Sequence, residues 1–285
     1  MISLRACRHV LVLLRLHNCV IAWGSVALGS FLAGGTIGYE SMTASLMAFF
    51  VCAGGYALND IFDVETDRVI KPWRPLVGNR LRRETAVTVV IAVWAIGCGF
   101  ALLSGRSAVG FFLGWAVLLY LYSWKIKSYG VAGPIVVSFF ASSGFLLGGL
   151  TGGSLGAAVF PFVIAMSLHM ARETVKSVAD IRGDSKAGIS TVAVRLGARK
   201  TLGLSLGCIA AVIITSLLPF VLRVYGYLYL LPVVMVVYPL LAVCIYLITR
   251  ARIDLNRAER NSGSVTTLLK VAMPIGLAAL LLAGI

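Results

Sequence analysis

Charge is what this sequence has least of. Only 13% of its residues are Asp, Glu, Lys or Arg, where an ordinary soluble domain carries about 25%. Acids are the scarcest, 11 in 285 residues. Such a chain is not a water-soluble globule. The six cysteines (Cys7, Cys19, Cys52, Cys98, Cys208, Cys244) are scattered and form no C-x-x-C pair. That excludes a thiolate metal site or a dithiol redox motif and leaves them as small buried hydrophobes. The opening segment, MISLRACRHVLVLLRLHN, imitates a secretory signal, but Arg15, His17 and Asn18 interrupt its apolar run. No small-residue cleavage site follows at the right distance, so it reads as a short membrane-surface helix leading into a first span.

Apolar length is abundant. Hydrophobic residues make up 59% of the chain, and runs such as Ala86–Ser104, Val131–Leu150 and Leu202–Leu222 are long enough to cross a bilayer as helices. Hydropathy predicts nine spans, at about 17–37, 42–62, 84–104, 107–123, 130–150, 155–177, 201–222, 228–249 and 265–284. The fold class is therefore all-α and polytopic, with residues 1–285 as one domain. Of the 25 Lys and Arg, only Arg106 and Arg223 fall in the short alternate loops, and Lys270 lies in the last span. The rest occupy the N-terminus, Asp63–Arg83, Lys125–Lys127, Arg172–Lys200 and Arg250–Arg260. The positive-inside rule then predicts a multi-pass cell-membrane protein with a cytosolic N-terminus and the C-terminus outside. The net charge of +14 accompanies no nucleic-acid motif, so an anionic lipid surface and an anionic substrate suffice as partners.

Two acidic clusters stand out. The second span ends in Asn59, Asp60, Asp63 and Asp67; on a helix Asn59, Asp63 and Asp67 stack on one face, with Asp60 at its edge. The sixth span ends in Arg172, Lys176, Asp180 and Asp184, one face again if the helix continues, although Gly183 is expected to end or loosen it. Four spans separate the clusters, an even number, so both lie at the same, cytosolic, boundary. Carboxylates with an amide oxygen are the hard donors Mg²⁺ prefers. With Lys and Arg beside them they suit a diphosphate bridged by Mg²⁺.

These motifs resemble those of the UbiA family of intramembrane prenyltransferases. NDxxDxxxD is present as NDIFDVETD (Asn59–Asp67), followed by KPWRPL (Lys71–Leu76). DxxxD is present as DIRGD (Asp180–Asp184), followed by Gly188-x-x-Thr191, while LRLHN (Leu14–Asn18) and LYSWKIK (Leu121–Lys127) are similar to two further family elements. The resemblance implies nine helices around a central cavity, capped on the cytosolic side and open sideways to lipid. It implies that Mg²⁺ assists departure of diphosphate and that a second substrate captures the allylic cation. Carried onto this chain, it makes Asn59, Asp60, Asp63, Asp67, Asp180 and Asp184 the metal set, and Arg68, Lys71, Arg74, Lys125, Arg172 and Lys176 the diphosphate-binding candidates. Asp63, Asp180 and Lys125 are the expected catalytic positions. Arg15 and Asn18 would bind diphosphate or acceptor, Tyr120 and Tyr122 would face the cation, and His169 reads as a packed helix residue rather than a base.

RETVKSVADIRGD followed by GIST looks most like the archaeal branch of the family that attaches geranylgeranyl to geranylgeranylglyceryl phosphate. Ser185 directly after Asp184 departs from the aromatic-acid members, which more often carry an additional acid in or directly after this motif. The alternative acceptor is 4-hydroxybenzoate, alkylated on its ring. A cation-coupled transporter is the non-enzyme alternative, but transporters place their charges at the bilayer midplane, whereas these spans are almost free of charge. No protein partner is implied.

Overall fold

The computed structural model describes residues 4–34 and 36–284. In a bilayer every backbone polar group must be satisfied within the protein, and here the chain does so almost entirely by helices. These are α1 (Leu4–Leu14), α2 (Leu16–Gly34), α3 (Tyr39–Phe62), α4 (Val64–Ile70), α5 (Arg83–Ser104), α6 (Arg106–Trp124), α7 (Ala132–Ser142) and α8 (Gly144–Thr151). After them come α9 (Leu155–Ala179), α10 (Ile181–Lys186), α11 (Val192–Leu196), α12 (Ala198–Val221), α13 (Tyr227–Pro232), α14 (Tyr238–Ile253) and α15 (Ala258–Ala283). Nine spans among the described residues are long and apolar enough to cross a membrane. α7 and α8 form one of them, broken at Ser143. α13 and α14 form another, joined through a π-helical turn, Val233–Val237, between Pro232 and Pro239. Neither proline can donate to the helical ladder, which is where a wider turn is tolerated.

The first seven spans match their predicted limits to within a few residues. The last two do not: the eighth runs on to Ile253, and α15 begins at Ala258, well before residue 265. The basic Arg250–Arg260 connection is therefore mostly helix, with only Asp254–Arg257 between α14 and α15. Hydropathy misses these turns because they are polar. They are held by contacts it cannot see: Asn261 Nδ2 donates to Leu247 O at 3.1 Å, and Arg182 pairs with Glu259 at 2.6 Å.

The spans close into a ring. α3 packs on α5 and α6, α2 on α3 and α8, α9 on α7 and α12, and α14 on α15, which returns to touch both α9 and α2. Two apolar clusters support it. One, from α2, α3, α5, α6 and α8, includes Val26, Met47, Val51, Trp115 and Leu147; the other, from α9, α12, α14 and α15, includes Val175, Ile209, Leu241 and Leu269. Large apolar side chains such as Ile91, Leu102, Leu113, Ile214 and Met235 point outward, a surface made for lipid. With lipid outside, helix association depends on close packing rather than on hydrophobic burial. α2 and α8 meet through glycine: a Cβ added at Gly29 would lie 2.5 Å from Phe145 O, and one at Gly148 would overlap the α2 backbone.

Candidate active site

Both acidic motifs are built the same way. α3 ends at Asp63, whose backbone (φ −90°, ψ 1°) leaves the helix for a single residue before α4 begins. α9 ends at Asp180 with nearly the same angles (φ −95°, ψ 0°) before α10. This sparsely populated region is where many active-site residues sit. The ladder nevertheless carries on through each junction. Asp63 N donates to Asn59 O at 2.9 Å and Asp67 N to Asp63 O at 2.7 Å. Asp180 N donates to Lys176 O at 3.0 Å and Asp184 N to Asp180 O at 2.9 Å. The four-residue spacing therefore does stack each set on one face. Gly183 does not end the helix, contrary to expectation: α10 passes through it and stops before Gly188, whose φ of +71° needs no Cβ. α4 and α10 pack on each other, which brings the two motifs face to face.

Around the first motif the protein supplies its own cations. Asp63 pairs with Lys127 and accepts from Asn59 Nδ2 at 2.6 Å. Asp67 pairs with Arg74. Buried Asp60 accepts from Arg15 at 2.5 Å and from Arg74 at 2.8 Å. Arg15 itself stands at the break between α1 and α2 with φ +50°, strained for a non-glycine residue, and its guanidinium lies 4.8 Å from the Tyr56 ring centre. Lys71 sits among Asp67, Asp180, Arg74 and Lys176, and burial lowers its pKa. The second motif lacks such partners: among the described residues neither Asp180 nor Asp184 makes an ion pair. Burial pushes the Asp184 carboxyl up to about 6 and also raises Asp67.

No three acidic, histidine or cysteine side chains among the described residues stand together as a ready metal cage. The donor set still suits a divalent cation. Asn59 Oδ1 is buried without a hydrogen-bond partner, and Asp184 is a buried carboxyl without an ion pair. Both are hard oxygen donors on the facing sides of α3–α4 and α9–α10, Asp184 having Lys176 and Lys71 only at a distance. Asn59, Asp63, Asp67, Asp180 and Asp184 are the residues that could hold it.

Inward of the motifs lies a cavity of about 230 Å³. Arg15, Asn18, Asn59, Arg172, Glu173 and Lys176 line it along with Tyr56, Trp115 and Tyr122. A second cavity of about 70 Å³ shares Ile21, Ala141, His169 and Met273 with the first and is otherwise walled mainly by Phe145, Ile164, Leu168, Tyr229 and other apolar groups. The site is thus charged at the motif end and apolar within the bundle. His169 lies at the junction of the two.

Several expected side chains are elsewhere. Lys125 is exposed, with its Nζ near the Trp124 and Tyr129 rings; α6 stops at Trp124 and the next turn swings Lys127 inward instead. Arg68 is exposed and pairs with Glu65 at 3.1 Å, since one residue beyond Asp67 is about 100° around the helix. Tyr120 faces outward against Phe62, whereas Tyr122 lines the cavity. Asp60 is held by two arginines and anchors them. Arg172 lines the cavity but pairs with Glu173. Sequence reading passed over Lys127, Glu173, Tyr56 and Lys270. Glu173 and Lys270 did carry a signal, each being a charge inside a span.

A model of the UbiA prenyltransferase family matches residues 22–269. The chain is 31% identical to the digeranylgeranylglyceryl phosphate synthase of Methanopyrus kandleri over 96% of its length and 98% of that protein's. It is 34% identical to that of Hyperthermus butylicus, over 98% and 97%. A solved structure of a digeranylgeranylglyceryl phosphate synthase in membranes shares the fold with a TM-score of 0.75 and 28% identity, covering 98% of both chains. A UbiA homologue of Archaeoglobus fulgidus, solved with GPP and Mg²⁺, has a TM-score of 0.66 and 19% identity over 95% of this chain and 99% of its own, a likeness of fold alone. Nine spans among the described residues, two facing aspartate motifs and a family match across most of the length agree: the chain belongs to the UbiA prenyltransferase family, and is a multi-pass membrane enzyme of that kind.

Proposed function

We propose that this enzyme transfers a geranylgeranyl group from its diphosphate to the free hydroxyl of geranylgeranylglyceryl phosphate, with Mg²⁺ as the metal. The observation that carries the reading is the pairing of Asp63 and Asp180, alike at two span ends and brought face to face by α4 and α10 at the mouth of a lipid-sized bundle. The full-length likeness to archaeal synthases that bear this name supports the choice of acceptor.

When bound, the metal supplies Lewis-acid charge to the departing diphosphate. Asn59, Asp63, Asp67, Asp180 and Asp184 hold it. Lys71, Arg74, Lys127 and Lys176 donate to the remaining diphosphate oxygens, and so stabilise charge that grows as the allylic C–O bond breaks. Tyr56, Trp115 and Tyr122 present π-faces toward the allylic cation. The apolar walls keep water from it, so that the acceptor hydroxyl forms the new C–O bond and releases its proton. Asp60 positions Arg15 and Arg74. Residues 1–285 act as one domain, with the N-terminus and the site on the cytosolic side, where the basic loops lie.

A product assay on purified protein tests this. Geranylgeranyl diphosphate and Mg²⁺ are supplied with geranylgeranylglyceryl phosphate or with 4-hydroxybenzoate, each with an EDTA control. The expected product is a diether phosphate formed only without EDTA. Prenylated hydroxybenzoate alone would keep the mechanism and overturn the acceptor.

A further inference from the structure

Lys270 is the only charged residue after Arg260. A cation in such a segment is costly and marks a functional site whose partner should be sought. Its neighbour is not an acid. Lys270 Nζ lies 3.3 Å from His17 Nε2, and no carboxylate among the described residues pairs with it within 4.0 Å. His17, able to accept through one ring nitrogen, orients the ammonium without neutralising it. Lys270 lines the larger cavity together with Arg15 and Asn18, and both it and His17 are exposed. The cavity therefore opens to the surface beside His17 and Lys270, where α2 and α15 meet. Lys270 lies midway along α15, but the residue it meets, His17, is the second residue of α2, so this charge is held beside the starting end of the first span.

We infer that Lys270, oriented by His17, binds the phosphate monoester of the acceptor lipid as it enters between α2 and α15, and so selects a phosphorylated acceptor over a neutral one. The inference deepens the function proposed above and rests on it for the identity of the acceptor. The diphosphate of the donor has its own cations in Lys71, Arg74, Lys127 and Lys176, which leaves Lys270 for a second anion. The apolar tail of that lipid lies along the exposed α2 and α15 faces, and its glycerol hydroxyl reaches inward past Asn18.

The test compares full-length wild type with Lys270→Met, Lys270→Arg and His17→Gln in nanodiscs. Turnover is measured with geranylgeranylglyceryl phosphate and with unphosphorylated geranylgeranylglycerol, and equilibrium binding of geranylgeranylglyceryl phosphate is measured separately. Lys270→Met should raise the KM and Kd for the phosphorylated lipid about ten- to a hundred-fold, the loss of one hydrogen bond to a charged group. The KM for geranylgeranyl diphosphate should stay within about twofold, and the preference for phosphate should collapse. Lys270→Arg should restore most of the binding, and His17→Gln should fall between. An unchanged preference in Lys270→Met, or an equal rise in the donor KM, overturns the inference while the acceptor reading stands. Lys270-dependent binding of the lipid phosphate without transfer to it supports the site and overturns the acceptor reading. A wild type that does not bind the lipid phosphate overturns both.

Discussion

Asp63 and Asp180 occupy the same place in two span helices, yet their surroundings differ. Asp63 lies against Lys127 and Asn59, and its companions Asp60 and Asp67 share Arg74. Asp180 and Asp184 make no ion pair among the described residues, and Asp184 is buried. The first motif is thus held in shape by cations drawn from α1–α2, from the loop after α4 and from the turn after α6. The second makes no direct ion pair; Lys71 and Lys176 act on it only from a distance, and a buried carboxylate without a close partner is costly. One motif is prepared by the fold; in the function proposed above, the other is completed by what binds.

The sharpest way to break this comparison is to remove its two junction residues. Asp63→Ala and Asp180→Ala should each lower turnover by about a thousand-fold or more, the several kcal/mol of metal assistance to the leaving group, while the protein remains extractable and folded. Transfer of labelled prenyl groups by purified protein reads this directly, and full activity in either variant would remove the metal argument. Next, Lys127→Met should reduce kcat about ten- to a hundred-fold, whereas Lys125→Met should stay within about twofold. Equal losses would mean that the inward turn after α6 is misjudged.

Arg74→Met leaves two mostly buried carboxylates short of a partner. It should destabilise the protein by about 3 kcal/mol, seen as a lower Tm in detergent. Asp184→Asn should do the reverse in EDTA, raising Tm while abolishing transfer, since it deletes a buried charge that makes no ion pair. The pH dependence sharpens this last contrast. A carboxyl raised to about 6 from an ordinary 3.8 binds protons more tightly in the folded protein. Its charged form therefore costs stability progressively as pH rises from about 4 through 6, and the cost is complete above that. Wild type minus Asp184→Asn should show that loss of Tm in EDTA, and Mg²⁺ should suppress it.

Legibility followed the same division. Spans one to seven were readable because apolar runs bounded by charge leave a helix no other solvent, and both motifs were readable because four-residue spacing stacks side chains on a helix. The expected side chains that the structure turns away from the motifs and cavity are near neighbours of ones it turns toward them: Lys125 of Lys127, Arg68 of Arg74, Tyr120 of Tyr122. Each pair lies in a stretch where both residues have the right chemistry: the end of α6 decides between Lys125 and Lys127, and rotation about the helix axis turns Tyr120 and Arg68 away. The polar first turns of α15 were missed because Asn261 and Glu259 find partners on α14 and α10, contacts absent from any local window.

What the sequence determined by itself is the membrane class, the nine spans and the two carboxylate ladders, all consequences of local periodicity and of the cost of charge in lipid. Only the tertiary structure decided which cations meet which aspartates, that α4 and α10 face each other, and that Lys270 meets His17 across 253 residues of chain. Those pairings depend on how helices distant in sequence close into a ring, and on small residues such as Gly29 and Gly148 that set how near two of them come.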